Sequence, residues 1–293
     1  MSGAVKRLYA LNDFAFMKIL GEKGDETQLT AFLNAVLKRT GKDSIVSVEI
    51  IENKELPPEI IGGKLSKLDV RAMLGDGTRI DIEVQLKNEY NMEKRSLRYW
   101  ALEYTRGIVE GQDYIDLPCV IVINILDFSY IGLDDFHTSF HIYEDMHRDY
   151  MLTSALEMHY IDMVRFRKYK GKDLNEPFHR WLIYFDEQSP PELVEEVLNM
   201  DTAIRAAQDK MEMIRRDPAL LHAYDMYELT RIDYKLGMQG ARQEGLQEGR
   251  QEGLREGLQK SAYEIARRMK NRGAPPGQIA GDTGLSIDEI TKL

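Results

Sequence analysis

Leu68-Asp69-Val70-Arg71-Ala72-Met73-Leu74, then Gly75-Asp76-Gly77, then Thr78-Arg79-Ile80-Asp81-Ile82-Glu83-Val84-Gln85 is the stretch whose reading decides the fold. Two strand patterns flank an Asp-Gly turn, a strong short-range signal for a β-hairpin. Side chains alternate across a strand, so Ile80, Ile82 and Val84 point one way and Asp81, Glu83 and Gln85 the other. Asp69 stands near the start of the first strand. In a tightly folded hairpin Asp69 and Glu83 converge on one side of the sheet, where a carboxylate pair suits a hard divalent cation such as Mg²⁺. The same pattern also fits a half-exposed hairpin whose polar residues are simply its wet face.

Working outward, residues 13–20 read as a helix with Asn12 or Asp13 as its N-cap. Residues 28–37 read as a second helix, with Leu29, Phe32, Leu33, Val36 and Leu37 on one face. A strand is expected over 45–52, before chain breaks at Pro57-Pro58 and Gly62-Gly63. After the hairpin, residues 90–111 carry Leu97, Trp100, Ala101, Tyr104 and Ile108 at helical spacing and end at a glycine. Residues 117–126 form an apolar, β-branched run that suits a strand buried on both faces. This order favours a mixed sheet with helices packed on it, an α/β fold.

Further strands are expected over 138–143 and 156–164, and helices over 177–227, with starts at Ser189-Pro190-Pro191-Glu192 and Asp217-Pro218. Glycines 245, 249, 253 and 257 punctuate a Gln-Glu-Gly repeat. Each interior glycine costs a helix roughly 1 kcal/mol relative to alanine, so the repeat is either a solvated linker or a helix whose small residues let another helix approach. Beyond it, helix, glycine-bearing turn and helix give the shape of a helix-turn-helix. Arg267, Arg268, Lys270 and Arg272 add a basic patch able to touch phosphates, and such a unit serves equally well for protein docking. The organisation read from these signals is an α/β domain over 1–175, a helical region over 176–236, the glycine-glutamate repeat over 237–260 and a helical tail over 261–293.

At 293 residues and 43% hydrophobic, the chain is long enough to bury a large core. A single cysteine, Cys119, excludes an internal disulfide and fits a reducing compartment. No secretory h-region opens the chain and no apolar run can span a bilayer, so the expectation is a cytoplasmic protein with no membrane partner. The net charge of −10 argues against an overall basic surface but leaves room for a local one. Cys119 reads as a core residue of a buried strand, and His137, His141, His147 and His159 read as strand or loop surface, with no His-Glu-x-x-His metal motif.

Taken together, Asn12-Asp13-Phe14-Ala15-Phe16, Leu68-Asp69-Val70, Ile82-Glu83-Val84-Gln85, Arg95-Ser96-Leu97-Arg98-Tyr99-Trp100, Gly111-Gln112-Asp113-Tyr114 and the run 120–126 resemble the Rpn family of recombination-promoting nucleases and transposases, in the PD-(D/E)XK nuclease superfamily. The resemblance covers residues 5–130 well, and the glycine-glutamate repeat followed by Ile279-Ala280-Gly281-Asp282-Thr283-Gly284-Leu285-Ser286 is similar to family tails. It implies a restriction-endonuclease-like sheet and a Mg²⁺-dependent (or other divalent-cation-dependent) DNA endonuclease acting in recombination or transposition. Asp69 and Glu83 match the two metal-binding acids, and Gln85 stands where the superfamily usually has lysine. A glutamine cannot act as a base near neutral pH but can orient a water, which leaves the base to a metal hydroxide, the phosphate or Lys87. Asp13 matches an additional acid on the leading helix. Arg95 and Tyr99, four apart on one helix face, suit a phosphate, or equally an ion pair and a packed ring. The implied partner is DNA, with homo-oligomers formed through the repeat. The alternative reading is a nuclease fold without catalysis that binds DNA or assembles oligomers.

Overall fold

The computed structural model describes residues 8–51, 70–106 and 113–293. It comprises two compact units, residues 1–229 and 230–293.

The first unit is α/β. Among the described residues its sheet has six strands: β1 (Val48–Ile50), β2 (Val70–Leu74), β3 (Arg79–Gln85), β4 (Val120–Leu126), β5 (His137–Tyr143) and β6 (Met151–Asp162), in spatial order β1-β2-β3-β4-β6-β5. The central strands β3, β4 and β6 are parallel, and the other pairings are antiparallel. The hairpin forms as the sequence predicts. Gly77 adopts φ of +85°, open to glycine without steric cost, and the Asp76 carboxylate accepts from the Thr78 backbone N–H at 2.9 Å. Register pairs Val70 with Ile82, Arg71 with Asp81 and Ala72 with Ile80.

Helices cover both faces of the sheet. On one face α1 (Asp13–Leu20), α2 (Thr27–Val36), α5 (Pro177–Phe185), α6 (Pro191–Met200) and α7 (Thr202–Arg216) share a core with Ile80, Ile82 and Val84. Phe32, Trp181 and Phe185 meet edge-on or tilted within it, at centroid separations of 5.5–5.6 Å. On the other face α3 (Met92–Thr105) lays Met92, Trp100 and Tyr104 against Val120, Val122, Met158 and Tyr160. Asn12 caps α1, accepting from the N–H groups of Phe14 and Ala15, so Asp13 is the first helical residue and not the cap.

Several boundaries differ from the sequence expectation for local reasons. Tyr90 has φ of +56°, outside the helical region, and α3 begins at Met92. The expected glycine stop of α3, like the breaks at Pro57-Pro58 and Gly62-Gly63, lies outside the described residues. β6 ends at Asp162, whose side chain accepts from the Arg165 N–H; Met163 and Val164 therefore start α4 (Met163–Lys168) instead of extending the strand. Cys119 precedes β4 and is half-buried, not a core strand residue.

The repeat lies within a continuous helix, α8 (Pro218–Asn271). A Cβ at Gly245, Gly249, Gly253 or Gly257 would meet nothing within 4 Å, so among the described residues no helix approaches closely at these glycines. The Leu, Gln, Glu and Arg residues between the glycines are good helix formers and sustain the helix in their place. In the second unit the end of α8 joins α9 (Pro276–Thr283) and α10 (Ile287–Thr291) around Ala266, Ile279, Leu285 and Ile290. Gly284, at φ of +73°, ends α9, and a Ser286–Glu289 capping box starts α10. Lys270 of the expected basic patch donates to the carbonyls of Ile290 and Thr291 at 3.0 Å and thus ties off α10.

Between α3 and the hairpin lies a buried charge layer. Arg71 is gripped bidentately by Glu103, at 2.6 and 2.9 Å, with Arg106 and Arg79 at 3.6 and 3.7 Å. Arg71, Asp81 and Glu103 are all buried. Removing one partner strands a charge, so Glu103→Ala is expected to cost about 3–5 kcal/mol in a denaturant titration, whereas an Arg71→Met, Glu103→Leu double variant recovers most of that loss.

Candidate functional site

The last turn of polar alternation on β3 builds the site. Glu83 and Gln85 are two apart on one strand and share the face under α3. Glu83 is only 1% exposed, which removes the wet-face reading of the hairpin. Gln85 Nε2 donates to Glu83 Oε2 at 3.2 Å, and Arg95 Nη2 approaches the same oxygen at 3.5 Å. Arg95 Nε donates to the Tyr99 hydroxyl at 2.9 Å, one helical turn on. The guanidinium carbon also lies 5.4 Å from the centre of the Tyr99 ring. Four of the residues singled out from the sequence, Glu83, Gln85, Arg95 and Tyr99, therefore form one connected group.

Desolvation works to lower the Arg95 pKa, but Tyr99 and Glu83 outweigh it and hold the guanidinium above its usual value. Asp13, at the start of α1, joins this neighbourhood electrostatically. Its side chain reaches solvent, yet crowding by protein atoms desolvates the carboxyl enough to raise its pKa, against the opposing pull of Lys87 and Arg95. Asp69 lies outside the described residues; the hairpin ladder is described from Val70, its chain neighbour, paired with Ile82, the chain neighbour of Glu83.

The donors at this point fit a hard divalent cation in kind: a buried carboxylate and a side-chain amide oxygen. Among the described residues no group of three or more His, Cys, Asp or Glu side chains is arranged to hold a metal ion. Glu83 is the described carboxylate at the centre of the group, and its Oε2 is shared by Arg95 and Gln85. A cation bound there would take over part of the charge balance that Arg95 now supplies.

Sequence reasoning missed the surroundings of this group. Asn124 is buried beside Glu83 in the β3–β4 register, and Ser96 of α3 donates to it at 2.9 Å. The signal was one polar residue inside the apolar run of β4. The histidines also correct the surface reading: His159 is buried, His137 and His141 are half-buried, and His147 is exposed. His137 Nε2 lies 2.9 Å from His159 Nδ1, and His159 Nε2 lies 2.8 Å from Glu157 Oε1.

A family model described as PD-(D/E)XK nuclease family transposase matches residues 10–241, more than half of the chain. Neither a curated protein nor a solved structure matches it. Among the described residues no helix is long and apolar enough to cross a membrane.

The histidine pair generates a pH prediction. Burial first, then His159 and Lys38, hold the His137 pKa down to about 4, from 6.5. Between those values the unfolded chain takes up a proton that the folded chain refuses, so stability falls as pH drops from 6.5 towards 4. In urea titrations across that range His137→Gln is expected to show a shallower decline than the wild type; an unchanged slope counts against this assignment.

Proposed function

The chain belongs to the PD-(D/E)XK nuclease family of transposases, and on that premise we propose that it is a divalent-cation-dependent DNA endonuclease that hydrolyses phosphodiester bonds in recombination or transposition. Its sheet and flanking helices are consistent with a restriction-endonuclease-like fold. The observation that carries the reading is Glu83: a carboxylate in the interior, on the hairpin of a nuclease-family chain, bordered by a glutamine and an arginine that also reach towards the site.

In this reading Asp69 and Glu83 hold Mg²⁺ or another divalent cation. When bound, such an ion supplies charge neutralisation at a phosphate and lowers the pKa of a coordinated water. The protein groups have their own tasks. Arg95, already held charged, offers its guanidinium to a phosphate oxygen, for which a planar fork is well suited. Tyr99 fixes the guanidinium orientation through the Nε hydrogen bond. Gln85 orients a water through its amide oxygen while its nitrogen stays on Glu83, and Asp13 with Lys87 balances charge at the rim. The lone cysteine supports a reducing setting, the cytoplasm.

A second reading keeps the nuclease fold as a non-catalytic module that binds DNA or forms oligomers through α8. Gln85 in the place of a lysine is the observation in its favour. Plasmid nicking separates the two. The wild type is expected to nick with Mg²⁺ and not with EDTA, and Glu83→Ala and Asp69→Ala are each expected to lose on the order of 100-fold or more in rate. Folded wild-type protein that never nicks, or variants that nick as fast as the wild type, select the second reading.

A further inference from the structure

β4 reads Val120-Ile121-Val122-Ile123-Asn124-Ile125-Leu126, and every residue in it is buried. An amide in such a strand costs free energy unless both of its ends are bonded. Both ends of Asn124 are bonded. Nδ2 donates to the His159 carbonyl at 3.1 Å, within the sheet, and Oδ1 accepts from Ser96 Oγ at 2.9 Å, across to α3. Ser96 is itself fully buried, and its hydroxyl also lies 2.8 Å from the Met92 carbonyl, so one proton is shared between two acceptors.

The placement of this contact gives it a consequence. In the β3–β4 register Asn124 stands beside Glu83, and on α3 Ser96 is the chain neighbour of Arg95. Further along α3, Trp100 Nε1 donates to the Ala155 carbonyl at 3.0 Å and Glu103 grips Arg71, while beside Arg95 the packing comes from Met92, Trp100 and Tyr104 against Val120, Val122, Met158 and Tyr160. Apolar contact is non-directional and tolerates sliding, whereas a buried hydrogen bond fits one register. With the later turns held by Trp100 and Glu103, a shift of the first turns of α3 would break the Ser96–Asn124 bond and carry Arg95 away from Glu83.

We propose that Asn124 is a positioning residue: through Ser96 it locks α3 in the register that aims Arg95 at the Glu83 carboxylate. Its consequence for rate rests on the nuclease reading above; the aim of Arg95 does not.

The test uses the full chain in three forms, wild type, Asn124→Leu and Ser96→Ala, each confirmed as folded by circular dichroism. Ser96→Ala removes only the helix end of the contact and keeps Asn124 bonded within the sheet, so it serves if Asn124→Leu does not fold. The first readout is the NMR signal of the Arg95 Nη–H groups, assigned with Arg95→Lys, of which Nη2 faces Glu83 Oε2 at 3.5 Å between α3 and β3 in the wild type. The lock predicts that the signal moves and loses its protection in the folded variants. A signal unchanged in position and protection overturns the proposal, whether or not the protein cuts DNA. In wild-type protein that does nick, the variants are expected to lose about 100-fold in kcat/KM, as for a displaced phosphate-binding charge. An unchanged kcat/KM in the folded variants also overturns it.

Discussion

The structure turns on the burial of a strand that is polar at every second residue. β3 is covered on one face by the large aromatic core and on the other by α3, so Asp81 and Glu83 have no route to bulk water. A carboxylate taken out of water costs several kcal/mol unless opposite charge and hydrogen bonds replace the lost hydration. The cations in the neighbourhood follow from that requirement. Arg71, Arg79 and Arg106 crowd Glu103 beside Asp81, and Arg95 with Gln85 attends Glu83.

The two halves of this charge layer differ in openness. Arg71 is 2% exposed at its side chain and its partner Glu103 is 0% exposed, a closed pair that holds the hairpin to α3. Arg95 is 27% exposed at its side chain while Glu83 is 1% exposed. One end of the strand is therefore sealed for stability, and the other presents a cation able to change partners. A site that binds a phosphate and releases it needs the second arrangement.

How much of this is legible in the sequence follows from the range of each interaction. The hairpin, the Asn12 cap and the proline helix starts are local patterns, and they are readable without the fold. Glu83 and Gln85 share a face because strand periodicity is local too. The pairing of Arg71 with Glu103 joins residues 32 apart, and that of Ser96 with Asn124 joins residues 28 apart, so neither has a signature in spacing. His159 reads as surface in the sequence because histidine is only intermediate in burial, and the bonds that satisfy its buried ring, to His137 on the neighbouring strand and to Glu157, have no signature in spacing. The glycine repeat is ambiguous in the sequence because propensity weighs single residues, while the helix is sustained by the good helix formers between them.

In the proposed function Glu83 is a cation ligand and not only an internal ion-pair partner of Arg95. Isothermal titration calorimetry of Mn²⁺ or Mg²⁺ into the wild type and a folded Glu83→Gln variant, with no DNA present, tests it most directly. Saturable binding to the wild type is expected, lost or strongly weakened in Glu83→Gln. Equal binding by both proteins, or none by either, would contradict it and leave Glu83 as a structural charge.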